Sequence, residues 1–527
     1  MDNLVFEESI NAEIEQSEFI SKKWVYVNDN NSQNYSTQVV IDTTSIANSG
    51  AYVNWQESYI VAPLILGVSC NNARFSTDGS QNAKVCEAIG LKNGFWNIVN
   101  SFNIEYNNQT VVQQTAFTNV HRSFKAHTSF SQDDLKNEAM TLGYYPDTPN
   151  TWSFKASPGN ANGVGVINTE NNTGFATRNS WIYGQTANQT TVMPLASRSD
   201  NFSSTFTVES TTKAYFTIYA KLRLKDLADF FGKTPLLKGS TIRLLINTNQ
   251  VTNFSITYGA ALITTVSTPS LQGYSNPVMV DTEKLATLTG VASGDVFNFS
   301  LSIVKDYTST ATAGNSSLKS WRLYAPIYKM NPIAEQRYLS LAPTKKVHYN
   351  DIFQYQFSGI GATDNFNILV TNGITNIKSV LVVPFLTATA NGGISPHQSP
   401  YSTAGATPDP IVITNFNILV SGVNLFQQNE LYDFEIFNHE LKSSNQLNGN
   451  LTTGLTSGLI GEYEFSNLYR YYYGNCARIL PSEEGVSRSV QIVGQVKTDA
   501  SLTINLMVFV EFQKTIEIDI STGARIE

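Results

Sequence analysis

The chain's five histidines and its paired acids are the first places to look for catalysis or metal binding. His121 and His127 lie six residues apart in His121-Arg122-Ser123-Phe124-Lys125-Ala126-His127. Read as a strand, that segment puts both imidazoles on one face but ~20 Å apart, at ~3.3 Å per residue. Two ligands of one metal ion cannot stand that far apart. His348, His397 and His439 each stand alone, so all five read as surface or satisfied core histidines. Three acidic pairs follow. Asp133-Asp134 opens a helix, and Glu483-Glu484 sits in a turn after Pro481. Asp433 and Glu435 share a strand face, where a glycosidase-like carboxylate pair would need its spacing from opposing strands. No Gly-X-Ser-X-Gly elbow and no Walker-type lysine loop occurs. Tyr469-Arg470-Tyr471-Tyr472-Tyr473 sets a base among aromatics that could stack single-stranded bases. On an acidic chain it reads instead as a subunit contact or core edge. Cys70, Cys86 and Cys476 are too few for a disulfide framework and form no Cys-X-X-Cys pair for zinc. They read as buried thiols of a reducing compartment. No catalytic, cofactor-binding or metal residue is assigned, no cofactor is expected, and the expectation is a protein that is not an enzyme.

The totals point the same way. A length of 527 residues implies two or more domains. Charged residues make up 14%, against a typical ~25%. Asn, Thr, Ser, Gln and Gly fill the deficit, a mix suited to strands joined by many turns. The 29 Phe and 25 Tyr supply material for large sandwich cores. The formal net charge is −8, and the opening stretch from Met1 to Phe19 is acidic. Neither nucleic-acid binding by counterion release nor sequence-specific nucleic-acid binding is therefore expected. No uncharged run reaches the ~18 apolar residues of a transmembrane segment, and the first twenty residues lack the apolar core of a signal peptide. The sequons at Asn108 and Asn298 read as chance matches.

The positioning elements are strands. Residues 1–50 read as an arm, 51–318 as a first β-sandwich and 319–527 as a second. Ser58 to Leu64 predicts a strand ending at or just past Pro63. Asn107-Asn108 and Ser421-Gly422 predict hairpin turns. Ser131 predicts the N-cap of a short helix through Met140. Residues 150–200, rich in Asn, Gly, Thr and Ser, predict an exposed tower. A short helix is expected around Thr282 to Leu288. A polar connector from Asn331 to Thr344 reads as the hinge between the halves. Leu502 to Phe512 alternates as a strand, and Ile516 to Ile520 reads as a separate, half-exposed one. A faint echo links Ser101-Phe102-Asn103-Ile104 with Asn415-Phe416-Asn417-Ile418, as in a duplicated sandwich.

A series of short motifs runs through both halves. The first half carries Glu105-Tyr106-Asn107 with Thr110-Val111-Val112, Thr128-Ser129-Phe130-Ser131-Gln132-Asp133-Asp134 and Gly143-Tyr144-Tyr145-Pro146-Asp147. Leu224-Lys225-Asp226-Leu227-Ala228-Asp229-Phe230-Phe231 and Pro235-Leu236-Leu237-Lys238-Gly239 follow. The second carries Arg322-Leu323-Tyr324-Ala325-Pro326, Thr371-Asn372-Gly373-Ile374, Asn376-Ile377-Lys378-Ser379-Val380, Tyr432-Asp433-Phe434-Glu435, Ser457-Gly458-Leu459 and Thr522-Gly523. In this order and spacing, over roughly residues 50–525, the chain resembles the double jelly-roll major capsid proteins of the polinton-like virus and virophage group. More distantly it resembles those of larger eukaryotic DNA viruses. The resemblance implies an all-β fold of two tandem eight-stranded antiparallel jelly rolls with short helices and long loops. It implies a homotrimeric, pseudo-hexagonal capsomer that contacts neighbouring capsomers and a single jelly-roll penton protein in an icosahedral virion around double-stranded DNA. The rival readings are a secreted or surface glycan-binding adhesin and a β-sandwich glycoside hydrolase.

Overall fold

A computed structural model describes residues 18–31, 37–73, 87–146, 174, 178–181, 206–249, 251–259, 263–267, 273–282, 293–303, 320–341, 343–387, 397–398, 411–427, 431–444, 449–450, 454–455, 458–467, 469–479, 485–497 and 503–526. Cys86, Glu483-Glu484, the acidic opening stretch and the helix expected at Thr282 to Leu288 lie wholly or almost wholly outside them. So does nearly all of the expected tower.

Two sandwiches share one strand order. The first contains β1 (Phe19–Asn28), β2 (Gln38–Asp42), β3 (Tyr59–Cys70), β4 (Val99–Tyr106), β5 (Gln109–Gln114), β6 (Lys213–Arg223), β7 (Ile242–Thr248) and β8 (Arg322–Met330). Its sheets run β1-β8-β3-β6 and β2-β7-β4-β5. The second contains β9 (Thr344–Gly361), β10 (Asn365–Ile374), β11 (Ile377–Leu386), β12 (Val412–Val420), β13 (Val423–Asn424), β14 (Tyr472–Asn475), β15 (Arg488–Lys497) and β16 (Thr503–Asp519). Its sheets run β9-β16-β11-β14 and β10-β15-β12-β13. Counted within each set, both read 1-8-3-6 facing 2-7-4-5, the order of a jelly roll. All these pairings are antiparallel. The helices between the strands include α1 (Thr118–Ser129), α2 (Gln132–Leu142), α3 (Pro332–Leu341) and α4 (Phe434–Ser443).

Several expectations shift. Residues 1–50 are not just an arm, because β1 and β2 belong to the first sandwich. Val39 and Ile41 are fully buried on alternate positions of β2, and Val25 and Val27 of β1 pack on the same core. The first sandwich also runs past residue 318, since β8 pairs with β1 and β3. The connector is no loose hinge. Pro332 opens α3, where its missing N–H leaves no helical bond unmade. The helix is pinned to the first sandwich, where Tyr52 Oη and Lys238 Nζ both reach Glu335 Oε1 at 3.0 Å. The strand at Tyr59 does not stop at Pro63. Pro63 sits where the neighbour of β3 changes from β8, which ends its pairing at Val61, to Val296–Ile303, which begins at Leu64. A missing N–H costs little at such a break.

The expected turns form. Asn107 and Asn108 both take positive φ, as do Ser421 and Gly422, which gives two-residue hairpins matched to strand twist. Ser131 caps α2 in a reciprocal box with Asp134. The two expected strands join into one 17-residue strand, β16 (Thr503–Asp519), paired along its length with the 18-residue β9. This ladder threads both cores. Leu506, Val508 and Val510 fill the second, while Val347, Tyr349, Ile516, Ile518 and Ile520 fill the first.

Candidate functional site at the junction of the two sandwiches

The segment His121 to His127 is helix, not strand. Phe117, Val120 and Phe124 recur at three- and four-residue spacing and enter the second core, so helical period wins over alternation. At ~1.5 Å per residue the two imidazoles are ~9 Å apart along the axis. α1 thereby bridges the sandwiches. On one side Asn100 Oδ1 accepts from Phe117 N at 3.1 Å, and Trp96 Nε1 donates to Ser123 Oγ at 3.2 Å. On the other side Phe124 stacks on Tyr473 at 5.5 Å, and the His121 ring lies 5.8 Å from Phe509.

Charged groups meet beside this helix. Glu511 is buried and accepts from Asn350 Nδ2 at 2.8 Å and Ser379 Oγ at 3.0 Å, with Lys125 Nζ at 3.3 Å. Burial pushes its pKa up, but Lys125 and these donors outweigh that and hold it at about 2. Asp351, fully buried, takes Lys514 Nζ at 2.7 Å and the amide of Gln113 at 3.2 Å. Arg122 donates to Gln114 Oε1 at 3.0 Å, and burial lowers its pKa to about 10. His121 is held well below the usual histidine range by burial and by Lys125, so it is neutral. A cavity of about 370 Å³ opens among Gln114, His121, Arg122, Lys125, Asn350 and Glu511. Its acids are taken up by cations and amides. Among the described residues no three His, Cys, Asp or Glu side chains gather to hold a metal.

A second buried polar cluster lies at Lys92 and Asn93. Lys92 is 1% exposed, and its Nζ has no hydrogen-bond partner among the described residues. Burial lowers its pKa to about 7. Around it runs an asparagine network. Asn97 donates to the Asn93 carbonyl at 2.6 Å and accepts from Asn119 at 3.2 Å, and Asn249 donates to the Asn97 carbonyl at 3.0 Å. His397 packs against Phe117 and Phe385, and its pKa falls to about 3 through burial and then Lys92.

The remaining candidates disperse. His127 is buried, stacked 4.8 Å from Tyr469 and bonded to Tyr471 Oη at 3.2 Å, and burial lowers its pKa to about 3. His348 is exposed and meets Thr515 Oγ1 at 2.7 Å, and His439 is exposed 3.8 Å from Glu440. Asp433 and Glu435 do not share a strand face. Asp433 caps α4 through Ile436 N at 3.0 Å, and Glu435 lies in its first turn. An Asp before a Phe434, Phe437, Leu441 stripe is a helix start. Tyr471, Tyr472 and Tyr473 offer no platform for bases, because all three are core residues. Tyr472 Oη donates to the Ile411 carbonyl at 2.8 Å and accepts from Ile413 N at 2.7 Å. Arg470 lies over the Phe465 ring at 5.2 Å. Cys70 and Cys476 are buried thiols, as expected. Sequence reasoning missed Glu511 and Lys92, although each is a lone charge inside an apolar run, Leu506 to Phe512 and Ala88 to Phe95.

Comparison fits this architecture. No protein-family model and no curated protein matches the chain. Among solved structures, a chain in the 3.5 Å cryo-EM structure of the Sputnik virophage is similar, with a TM-score of 0.53 and 12% identity over 97% of this chain and 88% of that one. The fold is a double jelly roll. The Faustovirus major capsid protein aligns with a TM-score of 0.45 and 9% identity, over 97% of this chain and 94% of its own. Among the described residues of this double jelly roll, no helix is long and apolar enough to cross a membrane.

Proposed function

We propose that this chain is the major capsid protein of an icosahedral double-stranded DNA virus, built into pseudo-hexagonal trimeric capsomers of the virion shell. The observation that carries the reading is the repeated strand order, 1-8-3-6 facing 2-7-4-5, in two sandwiches locked by one shared ladder. Such a chain is a rigid double prism, and three copies in a closed ring present six similar walls. The fold likeness to a chain of the Sputnik virophage structure supports it. So does the chemistry beside α1, where Lys125 holds buried Glu511 and Lys514 holds buried Asp351. Contacts with neighbouring capsomers and a penton protein belong to the same reading. A structural role, rather than catalysis, suits candidate residues that cap helices and fill cores.

The test is the solution mass of the purified chain across concentration and ionic strength, followed by negative-stain imaging. The expected species has three times the 58.1 kDa chain mass and a hexagonal outline. A mass of one chain at every concentration would overturn the reading.

A further inference from the structure

The two jelly rolls treat equivalent surfaces unequally. In the second, the row Gln354, Phe509, Leu381, Tyr473 crosses the outer face of the β9-β16-β11-β14 sheet. It is covered by α1, which comes from the β5–β6 connection of the first. The matching row in the first jelly roll is Tyr26, Tyr324, Tyr59, Arg223 across β1-β8-β3-β6. Arg223, at its end, is paired with Glu138 of α2, but over the three tyrosines no helix among the described residues packs in the same way. Tyr26 is 55% and the adjoining Trp24 48% exposed. The rings form a continuous strip, with Trp24 to Tyr59 at 5.6 Å, Tyr59 to Tyr324 at 5.3 Å and Tyr324 to Tyr26 at 5.8 Å. Lys221 sits over Tyr59 at 4.1 Å and Arg322 over Tyr26 at 4.8 Å, and neither has an ion-pair partner among the described residues. Aromatic area bearing unpaired cations is the composition of a contact surface.

The counterpart is in the chain itself. The β13–β14 connection of the second jelly roll is the equivalent of the one that carries α1, and it holds α4 and the helix Glu462–Asn467. Whereas α1 is packed on both sides, α4 is packed on one. Phe437, Glu440 and Leu441 face its own jelly roll, while Glu435 and His439 are exposed. Exposed beside them are Leu431, Asp433, Glu462 and Tyr463. This surface is acidic and apolar where the sheet is cationic and aromatic.

We propose that the outer face of the β1-β8-β3-β6 sheet docks α4 and the helix Glu462–Asn467 of a second copy of the chain, repeating between copies the contact that α1 makes within one. The contact is head-to-tail, so it propagates from copy to copy and closes into a ring when the rotation allows. It deepens the capsomer reading, and rests on it, by assigning the two surfaces that join copies.

Charge reversal tests the pairing, read by light-scattering mass at fixed salt. The paired variant K221E/R322E, on exposed or half-exposed positions, is expected to weaken self-association at least ~30-fold, with circular dichroism unchanged. E435K/E462K should weaken it similarly. Combining all four should restore most of the wild-type association. L369S/V423S, on exposed positions of the β10-β15-β12-β13 sheet, should leave it intact. If the wild-type chain is a trimer and K221E/R322E associates like it, or if the fourfold variant is no better than either pair, the assigned surfaces are wrong while the capsomer reading stands. A wild-type chain that stays monomeric overturns both.

Discussion

Phe102-Asn103-Ile104 in β4 and Phe416-Asn417-Ile418 in β12 occupy one place in two jelly rolls. Each triplet ends three residues before the first residue of a two-residue, positive-φ turn. In both, the Phe and Ile side chains are buried. The Asn between them is treated differently. Asn103 is only half-buried, whereas Asn417 is fully buried and bonds both the amide and the carbonyl of Phe426. The strand frame sets the inward residues, and the passing loops decide what becomes of the outward ones. The same holds at larger scale. The β5–β6 connection spans residues 115–212, while its counterpart spans 425–471. One piece of the longer connection, α1, becomes the wall of the second jelly roll.

The largest test of that equivalence is paired truncation. Phe102→Ala and Phe416→Ala should each destabilise by ~3–5 kcal/mol, as buried aromatics do, and the two losses should agree within ~1 kcal/mol in denaturant unfolding. A tenfold or greater disparity in unfolding constant would break the equivalence. The junction offers a smaller test, with opposite sign. Lys92 has a folded pKa near 7, below its ordinary 10.5, so the unfolded chain binds more protons between those values. Burial of this amine therefore penalises folding fully below pH 7, and the penalty fades as pH rises to 10.5. Lys92→Met should raise stability by ~4 kcal/mol at pH 7 and by almost nothing at pH 10.5, at ~1.4 kcal/mol per unit. A gain that is flat with pH would mean better packing alone. The smallest effects belong to the caps. Ser131→Ala on α2 and Asp433→Ala on α4 should each cost ~1 kcal/mol, measured by thermal unfolding. No loss at Asp433 would return that residue to the list of unexplained acids.

Much of the frame was legible because it is local. Alternation marked most of β16, Asn-Asn and Ser-Gly marked the hairpins, and Ser131 marked a helix start. What failed was either short or distant. Over seven residues, His121 to His127 fits a strand or a helix, and only the core receiving Phe117, Val120 and Phe124 decides between them. Residues 1–50 looked like an arm because the partner of β1 is β8, some 300 residues away. The junction charges were invisible for the same reason. Glu511 finds Lys125 across 386 positions, and no spacing rule reaches that far.

The shared ladder also sets an order of manufacture. The first jelly roll begins at Phe19, yet its core is unfinished until Ile516, Ile518 and Ile520 arrive. A ribosome must pass residue 520 before the first half can close. A chain halted midway keeps β8 and its neighbours beside an open core, a state for chaperones to hold and proteases to find. Synthesis past residue 520 thus becomes the condition for a closed first core, enforced by which residues complete it.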